Sequence, residues 1–152
     1  MPTIYIDADA CPVKDETYRV AARYAVRVVV VANNPMGVPV HLLVEMVVQK
    51  GFGAADDWIA EQIGPGDIAI TADVPLAARC VATGGVVLDP KGRVLDDSSI
   101  GEAVAVRDLM TDLREAGGRS GGPAPMTPKD RSRFLSELDR LVNAALRKKP
   151  VQ

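Results

Sequence analysis

The 152-residue chain is 47% hydrophobic and 25% charged, the balance of one soluble domain with its own core, and no run approaches the ~18 apolar residues that span a membrane. A single histidine, His41, and two cysteines outside any CxxC spacing exclude multi-histidine metal sites, zinc knuckles and a disulfide framework, as expected of a reduced, cytoplasmic protein. The net charge of −2 divides unevenly: residues 1–116 carry 10 Lys/Arg against 17 Asp/Glu, and residues 117–152 carry 8 against 3.

In chain order, short apolar runs alternate with helix-like segments, the pattern of an α/β parallel sheet. Strand 1 is expected at Thr3–Asp7. A helix follows, with Pro12 suited to its first turn and Val13, Thr17, Val20, Ala21 and Tyr24 on one face. The β-branched run Val26–Ala32 reads as strand 2, stopped by Asn33-Asn34-Pro35. Val38–Val48 is ambiguous, read as a loop or helical turn and then strand 3 near Val44–Val48. Gly51–Gly53 forms a loop, Ala54–Ile63 a helix, Asp67–Thr71 strand 4, Pro75–Thr83 a helix and Val86–Leu88 strand 5, which ends in the turn Asp89-Pro90-Lys91-Gly92.

Beyond that turn the chain reads as helical. Ser99-Ile100-Gly101-Glu102 matches a capping box, and Val106, Leu109, Met110 and Leu113 give an apolar stripe. The stretch "GGRSGGPAP" (117–125) reads as a linker, and Thr127-Pro128 starts a last helix with Leu138, Leu141, Val142 and Ala145 on one side. The expectation is a single domain over 1–152, built on an open, mostly parallel five-stranded sheet with flanking helices. Residues 117–152 form a basic linker-plus-helix extension.

Ligands of open parallel sheets bind outside the carboxyl ends of the strands. Asp7 and Asp9 follow strand 1, Asp73 follows strand 4, and Asp56 and Asp57 begin the helix after strand 3, so these carboxylates can meet at one edge. Together they would repel one another, and a hard cation, Mg²⁺ or Mn²⁺, would relieve that repulsion using oxygen ligands alone. Such sites serve phosphoryl transfer with water as the nucleophile. Helix capping is the better account of Asp9, Asp56 or Asp73 taken singly, but not of Asp7 at the end of an apolar strand, and for the group taken together convergence is favoured.

Lys14, in the first turn of helix 1, opposes the helix dipole, a penalty of ~0.3–1 kcal/mol that a bound phosphate would offset. Asn33 either positions a water or substrate or simply forms the turn before proline. Arg119, Lys129, Arg131 and Arg133, around the glycine-rich stretch and the last helix start, either hold phosphates or cap that helix in water.

Two resemblances bear on the acidic edge. "DADACPV" resembles the DxDx[TV] motif of haloacid-dehalogenase-like phosphatases, which would make Asp7 a nucleophile and Asp9 an acid. Cys11 stands where that motif has Thr or Val, and the later acidic motif, expected after a strand, falls before one at Gly66-Asp67. Nearly the full chain resembles the YaiI/YqxD family of small bacterial proteins, through "DADACPVK", "VVVVANN", "AADDWIAEQI", "GDIAITADVPLAARC", "AVRDLMTDLREAG" and "GGPAPMTPKDRSRF".

That resemblance implies a PIN-like nuclease fold akin to the NYN domains, with strand order 3-2-1-4-5 and an acidic metal site at the strand ends. Carried over by position, the strand-1 acid falls on Asp7 with Asp9 beside it, the helix acid on Asp56 or Asp57, and the strand-4 acid on Asp73. Asp89 is left as candidate for a strand-5 acid. The implied function is a metal-dependent nuclease or phosphodiesterase acting on RNA, with Asp7, Asp9, Asp57 and Asp73 catalytic and Asp56 an alternate ligand. A rival from another class is a non-catalytic RNA-binding or regulatory protein on the same scaffold, whose salt-dependent binding would survive loss of the carboxylates.

Overall fold

The computed structural model of the protein describes residues 2–9, 11–101 and 125–147. The elements are β1 (Thr3–Asp7), α1 (Lys14–Tyr24), β2 (Arg27–Ala32), β3 (Val44–Val48), α2 (Ala54–Gln62), β4 (Ile68–Ile70), α3 (Val74–Ala82), β5 (Val86–Leu88), β6 (Val94–Leu95) and α4 (Pro128–Arg147). A helical segment also occupies 97–101. Sheet order is β3-β2-β1-β4-β5-β6, parallel throughout except for the antiparallel β5–β6 pair.

The expected order 3-2-1-4-5 is therefore present, with a sixth strand added at one edge. That strand exists because the turn after β5 closes a hairpin. The Asp89 carboxylate accepts the N–H groups of Lys91 and Arg93 at 3.0 and 2.9 Å, and Gly92 supplies the positive φ of 88°.

Strand periodicity divides the core into two halves. Ile4, Ile6, Val28, Val30, Ile68 and Ile70 face one side, where they pack with Val13 and Val20 of the α1 region and Phe134, Leu138 and Val142 of α4. Tyr5, Val29, Val31, Ala69 and Val87 face the other, against Ile59 of α2 and Leu76 and Cys80 of α3. The Tyr5 and Trp58 rings meet edge-on with centroids 6.1 Å apart. Central strands buried on both faces explain the unbroken "VVVV" of β2.

Several boundaries depart from expectation. Pro12 precedes the first helix instead of occupying its first turn, and α1 starts at Lys14. The ambiguous stretch before β3 is loop and turn without a helix. The segment at 97–101 is capped by Asp96, which accepts the Ser99 N–H at 2.8 Å and hydroxyl at 3.0 Å; Ser99 is not the cap. At α4 the expected start holds through a reciprocal box: Thr127 Oγ1 accepts the Asp130 N–H, and the Asp130 carboxylate accepts the Thr127 N–H, both at 3.1 Å. The apolar stripe through Val106 to Leu113 and the linker at 117–124, Arg119 included, lie outside the described residues.

Candidate functional site

Chain direction across the sheet reverses between β1 and β4, since β2 and β3 extend one way from β1 and β4 to β6 the other. Parallel strands there end on the same edge, and the connections leaving them open a crevice. Within it, Asp7, Asp9, Asn33, Gly53, Ala55, Asp56 and Asp73 line a cavity of about 220 Å³. Asp7 and Asp73 also form a wall of an adjoining cavity of about 190 Å³, completed by Cys11, Ile70, Thr71, Ala72 and Pro90.

Local hydrogen bonds fix three of the four carboxylates. Thr71 Oγ1 donates to Asp7 Oδ2 at 2.8 Å and accepts the Asp73 N–H at 3.0 Å, so one buried hydroxyl ties the ends of β1 and β4 together. Asp73 caps α3, its Oδ1 accepting the Leu76 N–H at 2.9 Å. Both Asp9 oxygens lie within 3.2 Å of the Asn33 N–H beyond β2. Asp56 makes no hydrogen bond through its side chain among the described residues.

Electrostatics follow from this crowding. Burial pushes the Asp7 carboxyl up; the Thr71 hydroxyl opposes that, and Asp73 and Asp9 add to it. Asp56 is pushed up to about 6 by burial and then by Asp7, Asp73 and Asp57, with Arg79 opposing. Like charges held together at a water-filled opening are the surroundings a cation would stabilise.

Asp57 stands apart from this group. It is exposed, pairs with Arg79 at 2.7 Å and does not line the cavity. Consecutive helical residues point ~100° apart, so α2 can aim only one of Asp56 and Asp57 into the crevice. Of the two acids expected on this helix, Asp56 lines the cavity and Asp57 does not. Asp89 is likewise removed from the acidic edge, because its carboxylate is consumed inside the β5–β6 turn and by Arg93.

The expected phosphate-binding residues divide in the same way. Arg131 is committed internally, donating to the Pro12 carbonyl and to Glu16, both at 2.8 Å, and so joining α4 to the start of α1. Lys14 Nζ donates to the Cys11 carbonyl at 2.8 Å and does not line either cavity. The Asn33 amide, oriented to donate, reaches the carbonyls of Gln49 at 2.8 Å and Gly51 at 3.2 Å, which makes it a clamp on the loop before α2. Lys129 and Arg133 are exposed at the start of α4 and make no ion pair among the described residues.

Among the described residues, no three His, Cys, Asp or Glu side chains lie close enough together to hold a metal ion. The carboxylates are instead spread round a roomy opening. That arrangement fits Mg²⁺ or Mn²⁺, which keep much of their water and take one or two carboxylates directly. Both cysteines are buried and free, and neither joins the donor set.

A family model described as "Uncharacterized BCR, YaiI/YqxD family" matches residues 5–144. The chain belongs to the YaiI/YqxD family. Among its relatives, a "UPF0178 protein" of Rhodopseudomonas palustris (strain HaA2) is 55% identical over 97% of this chain and 90% of the relative. One from strain BisB18 is 56% identical over 91% of this chain and 90% of its own length. A third, from Gluconacetobacter diazotrophicus, is 55% identical over 93% of each. No solved structure matches the chain significantly.

Within this YaiI/YqxD chain, a reading of the sequence passes over Thr71, which lines the second cavity, and Lys91, which lies beside it and lines neither. Thr71 carried a legible signal, a polar residue at the end of an apolar strand two positions before Asp73. Lys91 carried none. It comes close enough to Asp130 of α4 to help Arg133 hold that carboxyl below its usual range, where the Thr127 N–H is the largest influence. The hairpin turn thus sets Lys91 next to Pro90 of the second cavity and near the exposed bases of α4. Among the described residues no helix is long and apolar enough to cross a membrane.

Proposed function

We propose that the protein is a metal-dependent nuclease or phosphodiesterase acting on RNA. The observation carrying this reading is the ring of four carboxylates, Asp7, Asp9, Asp56 and Asp73, around one open cavity at the strand ends. Mg²⁺ or Mn²⁺ would be held largely through its own water, with one or two direct ligands from among Asp7, Asp56 and Asp73 and with Asp9 completing the ring. A bound divalent ion supplies Lewis-acid polarisation and charge neutralisation at a phosphoryl group.

The chain's own residues do the rest. Thr71 holds Asp7 with Oδ2 engaged and Oδ1 available, and the α3 cap does the same for Asp73 with Oδ2 available. Exposed Lys129 and Arg133, with Lys91, supply cationic contacts for a polyanion that neutralised carboxylates no longer repel.

The test is incubation of labelled single-stranded and structured RNA in Mn²⁺ with wild type and Asp73→Asn. Asparagine keeps an oxygen to cap α3 while removing the charge, so the variant is expected to fold. Cleavage by wild type that the variant lacks and a chelator stops supports the reading. Equal cleavage by both proteins points to a contaminant. Binding by both without cleavage replaces the reading with a non-catalytic RNA-binding protein.

A further inference from the structure

Phe52 lies at the tip of the loop between β3 and α2, and its side chain is fully exposed, at 108% of the reference accessibility. It is the only exposed aromatic residue among those described: Phe134 and Tyr5 are buried, and Trp58, Tyr18 and Tyr24 are half-buried against the core. Val40 and Leu42 are as exposed, and single apolar side chains on a surface are ordinary; what sets Phe52 apart is an aromatic face on the loop that leads into the wall of the acidic cavity.

The loop is built to hold it there. Gly51 and Gly53 flank Phe52 at φ 113° and 71°, values that side-chain-bearing residues rarely adopt. The Gly51 carbonyl accepts the Ala54 N–H at 3.2 Å, and the Asn33 amide grips the carbonyls of Gln49 and Gly51 from the end of β2. Gly53, the next residue, is itself part of the wall of the acidic cavity. Phe52 is therefore an exposed aromatic ring on an anchored loop, one residue from the wall of the candidate site.

We infer that Phe52 stacks on an unpaired nucleobase next to the phosphodiester held at the acidic cavity, which makes single-stranded nucleic acid the substrate class. This rests on the reading of that cavity as a nucleic-acid site. A bare phosphomonoester or a continuous duplex offers no exposed base face, whereas every unpaired base does, without regard to sequence. Phe52 is then a specificity residue that selects strandedness.

Fluorescein-labelled 12-nucleotide RNA and DNA, single-stranded or annealed to a complement, would be titrated by anisotropy in Ca²⁺ with wild type, Phe52→Leu and Phe52→Tyr. Base–aromatic stacking energies predict about 5- to 100-fold weaker single-strand binding for Phe52→Leu, near-wild-type binding for Phe52→Tyr, and unchanged duplex binding. Both substitutions are on the surface and leave the glycines intact, so folding is preserved. Equal single-strand affinity of Phe52→Leu and wild type overturns the inference. So does a wild-type dimer, seen by sedimentation, that Phe52→Leu dissociates without loss of oligonucleotide affinity, because Phe52 then contacts a second copy.

Cleavage in Mn²⁺ separates this inference from the nuclease reading. Equal kcat/KM for wild type and Phe52→Leu on single strands leaves the nuclease standing and removes the stacking. Phe52-dependent binding without any cleavage does the reverse. Failure of wild type to bind any oligonucleotide removes both.

Discussion

Asp56 faces Asp7 and Asp73 across the cavity without a hydrogen-bond donor of its own among the described residues. Its charge therefore costs folding energy that only a cation recovers. Asp56→Asn should raise the melting temperature in chelator by a few degrees, on the scale of ~2–4 °C per ~1 kcal/mol regained, and should shrink the further rise that Mn²⁺ gives wild type. Unaltered melting with and without Mn²⁺ would rule out a charge-strained cavity.

Thr71 invites a sharper test, because valine keeps its shape and removes its hydroxyl. Thr71→Val strips a donor from Asp7 and an acceptor from the Asp73 N–H, at a cost of about 1–3 kcal/mol, and should weaken Mn²⁺ binding measured by calorimetry. Thr71→Ser should restore that affinity; if it does not, the hydroxyl is not what positions Asp7. At this scale the sequence carried the right residue types and misassigned some roles. Adjacent Asp56 and Asp57 differ only in helical phase, and although the start of α2 at Ala54 could be read, which side of the helix meets the crevice could not. Arg131, an apparent phosphate ligand, was spoken for by Glu16, 115 positions away and invisible to any local pattern.

Among elements, one close contact is where the β5–β6 turn meets α4. A Cβ built on Gly92 would come within 2.8 Å of the backbone of Arg133 and Phe134, and its φ is 88°. Gly66 has nearly the same φ, 89°, with nothing within 4 Å. Both Gly→Ala variants pay for left-handed backbone, ~1–2 kcal/mol, but Gly92→Ala adds an overpacking cost of about 1–3 kcal/mol. Urea denaturation should rank them in that order, and equal losses would show that α4 yields to the turn. This junction also explains what the sequence concealed. Strands β1 and β5 could be bounded from their apolar runs and turn residues alone and β3 only placed within an ambiguous stretch, whereas β6 is two residues long and exists only because the hairpin carries it back onto β5.

For the whole molecule, the basic surplus of residues 117–152 is partly internal currency. Arg131 is held by Glu16 and Arg140 by Glu137, leaving Lys129, Arg133 and Arg147 as exposed cations of α4 without an ion pair among the described residues. Arg131→Gln should therefore cost about 1–3 kcal/mol of stability, since it leaves the largely buried Glu16 unpaired, while leaving the salt dependence of oligonucleotide binding as it was. Lys129→Gln and Arg133→Gln should each lower that dependence, by roughly 0.7 in the slope of log affinity against log salt for a single strand. Titrations at several salt concentrations decide between the two classes. A slope that falls for Arg131→Gln and not for the others would reverse the assignment.

Phe134, Leu138 and Val142 lie in the same cluster as Ile4, Ile6 and Val30, so the latest-made helix described completes a layer begun by the earliest-made strand. During synthesis that layer has to wait. Some hundred residues separate the end of β2 from Val142, an interval of roughly 5–20 s at ~5–20 residues per second. For that time the nascent sheet presents bare isoleucine and valine to water or to whatever chaperone attends the ribosome.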